Sequence, residues 1–316
     1  MTDIATMKDF RTIYADTLIE LAQEDSRVVV FEADLMSATG TKHFKELFPE
    51  RSINCGVAEA NMVGIASGLS SQGFIPFVNT FGCFATRRAY DQFFLSANYA
   101  RQNVKLVGLD PGITAAFNGG THMPFCDIAL TRVIPDLVVV EPGDGWAVHH
   151  LTKAVYAHQG SVYVRLQRKG NPIFYDANQT FELGKGIIVR DGKDVTLVAT
   201  GAVMLEQAIL ASQALEKENI SAAVIDMHTI KPLDTELVLS YAKKTNAVVT
   251  CENAQMAGGL GSAVSEFLSE QYPTVVRRVG IQDLFGEVGT VEYLLKRFAL
   301  TAEQIVQEAK EAIKRK

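Results

Sequence analysis

One stretch limits the chain's folding options more than any other: from Ala60 to Thr86 there is no Asp, Glu, Lys or Arg. A run of that length could cross a membrane. Asn61, Ser70, Ser71, Gln72, Gly73, Pro76 and Asn79 interrupt it, however, which suits a buried helix, a turn and a strand instead. The spacing predicts a helix from Ala58 to Ser70, with Met62, Ile65 and Leu69 on one face. Glu59 stands at the mouth of this run. A carboxylate there is costly to bury unless something shares its proton or donates a hydrogen bond to it. Phe81 and Phe84 follow in Thr80-Phe-Gly-Cys-Phe84, two rings beside a glycine. A carboxyl next to an aromatic platform can hold and tautomerise a flat, weakly basic heterocycle. A loop to cradle a phosphate is not found with it, so the pattern reads as half of an active site.

The rest of the chain gives this run a setting. At 316 residues there is room for two domains, each with its own core. The balance of 30 basic and 36 acidic residues leaves a net charge of −6, with no basic block to attract nucleic acid. The N-terminus lacks an apolar signal core, and no membrane anchor is read. Cys55, Cys83, Cys126 and Cys251 lie far apart without a Cys-x-x-Cys pair, the usage of free thiols in a reducing compartment. The expected location is the cytoplasm.

Short β-branched runs alternate with amphipathic segments. Strands are predicted at Val28–Glu32, Pro76–Asn79, Val104–Gly108, Leu137–Val140 and Val162–Leu166, with helices at Lys8–Gln23, Arg87–Tyr99 and Trp146–His158. The rhythm breaks between Gly170 and Gly186, where Asn171-Pro172, Tyr175-Asp-Ala-Asn178, Gly184 and Gly186 mark a linker. It resumes with strands at Val195–Thr200, Ala222–Asp226, Ala247–Cys251 and Val275–Val279. The helices between and after them fall near Met204–Glu216, Asp234–Lys244, Gly261–Glu270 and Thr301–Lys314. The expected fold class is α/β: two doubly wound domains, residues 1–178 and 185–316, each a mainly parallel sheet flanked by helices.

Several strings, in order, resemble the transketolase family. They are Gly56-Val-Ala-Glu-Ala-Asn-Met-Val-Gly-Ile-Ala66, Pro76-Phe77, Thr80-Phe81, Arg87-Arg-Ala-Tyr-Asp-Gln92, Asn103-Val-Lys-Leu-Val-Gly108 and Gly120-Thr-His122. Together they look like its pyrimidine-binding domain. Val162-Tyr-Val-Arg-Leu166 and Asp226-Met-His-Thr-Ile-Lys-Pro-Leu233 resemble the remainder of its C-terminal half. The resemblance spans essentially the whole chain and implies thiamine diphosphate as cofactor. Glu59 matches the family's catalytic glutamate, a carboxyl that shares a proton with N1′ of the aminopyrimidine; an apolar surround suits it to that sharing. The plain alternative is a carboxylate favoured by a helix N-terminus. Phe81 and Phe84 match the positions that pack on the pyrimidine, and Arg87 stands where long transketolases carry a tyrosine.

Five further positions follow from the resemblance. Asp34, just past a strand's end in Glu32-Ala-Asp-Leu35, matches an acidic residue near the cofactor, with a helix cap as the alternative. His122 matches a histidine that contacts the sugar. Arg168, with Arg165 and Lys169 as neighbours, aligns with an arginine that holds the sugar phosphate, and a solvated basic turn is the competing reading. Asp110 replaces the family's histidine at the phosphate subsite, and Asn118 replaces an aspartate that reads a sugar hydroxyl. An anion at a phosphate subsite should repel that phosphate, so the cofactor half looks intact and the substrate half altered.

The family's diphosphate-holding motif is Gly-Asp-Gly followed by a distant Asn. Gly143-Asp-Gly145 is the only close string; Asn171 lies at about the right distance but in the linker, and Asp144 reads as the start of a helix. Gly258-Gly-Leu-Gly261 lacks the Lys-Ser/Thr of a P-loop, and His149-His150 diverge as a metal pair. The expectation is therefore the C-terminal, or β, subunit of a split transketolase, moving a two-carbon ketol unit from a ketose to an aldose. An N-terminal partner subunit would carry the diphosphate-binding domain and Mg2+, in an α2β2 assembly. The alternatives are a β subunit of a 2-oxo acid dehydrogenase, a deoxyxylulose-phosphate synthase-like enzyme, or a non-catalytic scaffold.

Overall fold

The computed structural model describes residues 4–7, 9–170 and 172–316. Lys8, the expected start of the first helix, and Asn171 lie outside the described residues. The strands in chain order are β1 (Val28–Glu32), β2 (Ser52–Asn54), β3 (Ile75–Phe81), β4 (Lys105–Leu109), β5 (Val138–Val140), β6 (Val162–Leu166), β7 (Ile187–Arg190), β8 (Val195–Ala199), β9 (Ala222–Asp226), β10 (Thr229–Lys231), β11 (Ala247–Gln255) and β12 (Val275–Ile281). They form a seven-stranded sheet, β10-β5-β6-β4-β3-β1-β2, and a five-stranded sheet, β12-β11-β8-β9-β7. Both are mainly parallel and flanked by helices, and the central strands β1, β3, β4, β6, β8 and β9 are buried along their whole length. Burial on both faces is why they read as continuous apolar runs. No helix among the described residues is long and apolar enough to cross a membrane.

The uncharged run folds as a helix, Glu59–Ser70, a tight turn, and β3. Its buried face is Met62, Val63, Ala66, Ser67 and Ser70, not the expected Met62, Ile65 and Leu69: Ile65 is 41% exposed. The Met62–Ala66 row fits the core; on the second apolar row Leu69 packs at the core's edge and Ile65 faces outward. The helix expected over Arg87–Tyr99 begins earlier and is broken into a π-helical turn at Phe84–Arg88, a short helix at Tyr90–Gln92 and a second π-helical stretch at Phe93–Tyr99.

The two sheets are not separate beads. β10 follows β9 but leaves that sheet to pair antiparallel with β5, Thr229 opposite Val140. The segment expected as a linker joins in closing the seam: the backbone N–H groups of Phe174 and Tyr175 donate to Asp144 at 2.9 Å, and the Tyr175 hydroxyl donates to Asp226 at 2.8 Å.

Candidate active site

In the first sheet β3 neighbours β1 on one side and β4 on the other, while β2 lies beyond β1. The winding reverses between β1 and β3, and side chains past the carboxyl ends of such strands surround a crevice. Phe81 ends β3, opposite Leu109 of β4, which is opposite Leu166 of β6. Asp110 and Arg168 follow those two strands, and Asp34 follows β1. Residues far apart in the sequence meet because the strands end level.

Glu59 opens its helix directly after Ala58 and is 1% exposed. Its carboxylate is not alone, as the uncharged run suggested. Arg88 Nη1 donates to both oxygens at 3.0 and 2.9 Å, and the Thr80 hydroxyl lies at 3.4 Å. The expectation fails because it counted only adjacent charges; the π-helical turn carries Arg88 back over the helix start. Arg88 itself is 46% exposed, and its guanidinium carbon sits 4.1 Å from the centre of the Phe84 ring. A flat, N–H-bearing cation thus lies on Phe84 while donating to a buried carboxylate.

Phe81, Phe84 and His122 form an edge-to-face cluster, with centroids 6.2 Å (Phe81–Phe84), 5.5 Å (Phe81–His122) and 5.1 Å (Phe84–His122) apart. The spacing is favourable for aromatic pairs. Arg87 is exposed and donates to the Thr121 carbonyl at 3.1 Å, so it holds the loop that carries His122. That loop rests on the second domain. A Cβ at Gly120 would come within 2.0 Å of the Gly286 carbonyl oxygen, so only glycine allows the close approach.

The remaining expected residues divide. Asp110 is buried at positive φ, and Arg168 donates to it through Nε at 2.7 Å and Nη2 at 2.6 Å. Asp110 is therefore a paired anion, not the free one the sequence suggested; burial raises its carboxyl, and the Arg168 guanidinium opposes that. Arg168 also approaches the Phe81 ring at 5.2 Å, so it faces the cluster rather than solvent. Asp34 is exposed, accepts from Asn54 Nδ2 at 3.1 Å and caps no helix. Asn54 also accepts from the N–H groups of Asp34 and Gly56, so Asp34 braces the turn leading to Glu59. Asn118 is exposed at the end of the 3-10 helical segment Gly112–Asn118, which is kinked at Ala116, whose φ is 46°.

Sequence reasoning missed the layer beneath. Arg165 is fully buried and donates to Asp127 at 2.7 Å, to Glu141, and to the Asn253 carbonyl at 3.1 Å, while the Tyr163 hydroxyl donates to Asp127 at 2.8 Å. Asn253, from β11, also receives the Ile113 N–H at 2.9 Å and donates to the Pro111 carbonyl at 3.0 Å, fixing the segment just after Asp110. The signal available was an arginine inside the apolar string Val162-Tyr-Val-Arg-Leu166, a charge that a buried strand tolerates only with partners. Three suggestive strings are accounted for structurally. Asp144 caps the helix Gly145–Ala157 by accepting from the Ala147 N–H. Glu252 accepts from the N–H groups of Leu260 and Gly261, so the protein's own carboxylate takes the anion position at the glycine-rich loop. His149 pairs with the Thr17 hydroxyl and His150 stacks on Trp146 and Phe181.

Residues 6–172 match the transketolase pyrimidine-binding domain family, and residues 184–305 match the transketolase C-terminal domain family. The chain belongs to the transketolase family. A 6-deoxy-6-sulfo-D-fructose transketolase subunit of Clostridium sp. (strain MSTE9) is 49% identical over 97% of this chain and 95% of its own length. An apulose-4-phosphate transketolase subunit of Phocaeicola vulgatus is 34% identical, over 96% of this chain and 97% of its own length. A solved split-gene transketolase, an inactive β4 tetramer, superimposes with a TM-score of 0.89 at 41% identity, covering 97% of this chain and 98% of that one. This transketolase chain is accordingly a β subunit of the split kind, a transferase whose family depends on thiamine diphosphate.

Proposed function

We propose that this transketolase subunit supplies the pyrimidine side of a thiamine diphosphate site completed by an N-terminal partner subunit. The observation that carries the reading is a carboxylate 1% exposed, Glu59, beside the Phe81–Phe84–His122 cluster, with a partner, Arg88, that reaches solvent. Those residues fit an aminopyrimidine: a carboxyl to share a proton with a ring nitrogen, and apolar rings to cover the face. Thiamine diphosphate, when bound, supplies the carbon nucleophile that carries a two-carbon ketol unit from a ketose to an aldose. The chain's own residues do the rest. Glu59 holds a proton at the pyrimidine nitrogen, and Phe81 and Phe84 exclude water from the ring. His122, hydrogen-bonded to the Thr121 hydroxyl at 2.9 Å, faces the sugar hydroxyls with Arg168 beyond it. Asp34 positions the turn before Glu59 from the cofactor side, and Asn118 lies on the substrate loop.

We assign the diphosphate and its Mg2+ to the partner, because Gly143-Asp-Gly145 is committed to a helix N-terminus here. The solved relative described as an inactive β4 tetramer supports both self-association and dependence on another subunit, and an α2β2 assembly satisfies both. The same reading takes residues 1–178 and 185–316 as the two domains and the cytoplasm, where the four free cysteines stay reduced, as the location. The test is reconstitution. This chain mixed with a subunit carrying a transketolase diphosphate domain should bind thiamine diphosphate and transfer a ketol unit from a ketose, while either chain alone should not. Full activity of this chain by itself would overturn the proposal.

A further inference from the structure

The Asp110–Arg168 pair is an unusual way to finish a sugar site. Asp110 is 2% exposed, and the end of β4 fixes it: its N–H donates to the Leu166 carbonyl at 3.0 Å, and its φ of 55° aims the side chain across to the residues after β6. Arg168 spends Nε and Nη2 on one carboxylate oxygen, its Nη1 has no hydrogen bond among the described residues, and it keeps 16% exposure beside Phe81. A ligand reaching Nη1 meets a cation already compensated by an anion it cannot displace. The attraction from Arg168 and the repulsion from Asp110 both scale with the ligand's charge, so the two nearly cancel for either ligand, and the larger cost of desolvating a dianion is left without compensation. A phosphate monoester carries a charge of about −1.5 to −2 at pH 7, whereas a sulfonate carries one negative charge.

We propose that Asp110 sets the charge class of the sugar, so that the subunit favours a ketose ending in a monoanionic tetrahedral group over one ending in a phosphate dianion. This rests on the sugar-facing placement of Arg168 given above. Geometry supports it over simple loss of the subsite: Arg168 is held rather than removed, and a planar guanidinium edge still matches two oxygens of a sulfonate. Asp110 is then a specificity residue acting through Arg168, and its effect belongs in KM rather than in kcat.

The test compares 6-deoxy-6-sulfo-D-fructose with D-fructose carrying a 6-phosphate as ketol donors to one aldose, in the reconstituted complex. The native complex should give the sulfonate the higher kcat/KM. Asp110→Asn keeps the shape, an acceptor for Arg168 and tolerance of positive φ. It should raise the phosphate-to-sulfonate ratio of kcat/KM about tenfold, mainly through KM. Arg168→Gln should lower kcat/KM for the sulfonate relative to unsubstituted D-fructose, which checks that the pair meets the charged end. A native preference for the phosphate, or a ratio unmoved by Asp110→Asn in a complex that still melts and turns over like the native one, overturns the inference. Absence of transfer from every ketose would instead sink the ketol-transfer reading together with it.

Discussion

Two arginine–carboxylate groupings stand close together in this subunit and behave oppositely. Arg165 is sealed: its side chain is 0% exposed, as is Asp127, and Glu141 is 5% exposed. Tyr163 and the Asn253 carbonyl complete the set, so Arg165 and Asp127 each meet several partners, and Glu141 meets Arg165 with little access to water. Glu59 is just as buried, but its cation comes from outside, with Arg88 46% exposed. A sealed grouping fixes the frame, because breaking it strands a charge in the core. An open one lets the cation move into solvent while the carboxylate keeps its place. The difference between frame and site lies in the partner's access to water, not in the carboxylate.

Glu59→Gln in the reconstituted complex should lower kcat about a hundredfold or more, with the melting temperature little changed, since the amide still accepts from Arg88. Retained turnover would make Glu59 part of the frame. Arg165→Leu should cost about 3–5 kcal/mol of stability, because two buried carboxylates lose their cation; urea unfolding checks it. Loss of less than about 1 kcal/mol would show the grouping to be less sealed than its burial implies.

A third test uses pH at the seam beneath Arg165. Burial pushes the Asp226 carboxyl up to about 7, helped by Asp144 and Glu141 and opposed by the Tyr175 hydroxyl. An acid raised in the folded state binds more protons there than when unfolded. Its favourable contribution is complete below the ordinary carboxylate range and is lost as pH rises through about 7. Asp226→Asn should therefore make stability fall less steeply between about pH 4 and pH 7, with Glu252 and Glu32, also raised by burial, keeping part of the slope, and leave the variant the more stable at pH 8 by on the order of 4 kcal/mol. Melting curves at three pH values decide it, and a variant less stable than the native chain at pH 8 would refute the assignment. The smallest effect belongs to Arg88→Gln. Arg88 is half-exposed, and Gln keeps an N–H donor for the buried Glu59 carboxylate, so the melting temperature should move little while the apparent affinity for thiamine diphosphate changes.

Much of the frame was legible because buried parallel strands leave continuous apolar runs: Val28–Glu32 and Val162–Leu166 are found where the pattern put them. β10 was not, since Thr229–Lys231 is too short to show a period and it pairs with the distant β5 in the seven-stranded sheet, not with the sheet of its neighbour β9. In the site, the types and positions of Glu59, Phe81, Phe84 and His122 stood out, but not their pairings. Arg88 and Glu59 lie 29 residues apart, and Arg168 and Asp110 lie 58 apart. Such contacts depend on which strands end side by side, which no local spacing encodes. Ile65 shows the converse error: the helical period was right, but Met62 and Ala66 carry the fully buried row, while on the other row Leu69 reaches the core's edge and Ile65 faces outward.

The most direct test of Glu59's role is the rate at which bound thiamine diphosphate exchanges its thiazolium C2 proton for deuterium, followed by NMR on the quenched complex. Exchange should be fast with the native subunit and slowed about a hundredfold or more with Glu59→Gln at equal cofactor occupancy. Equal exchange rates in the two complexes would contradict that role.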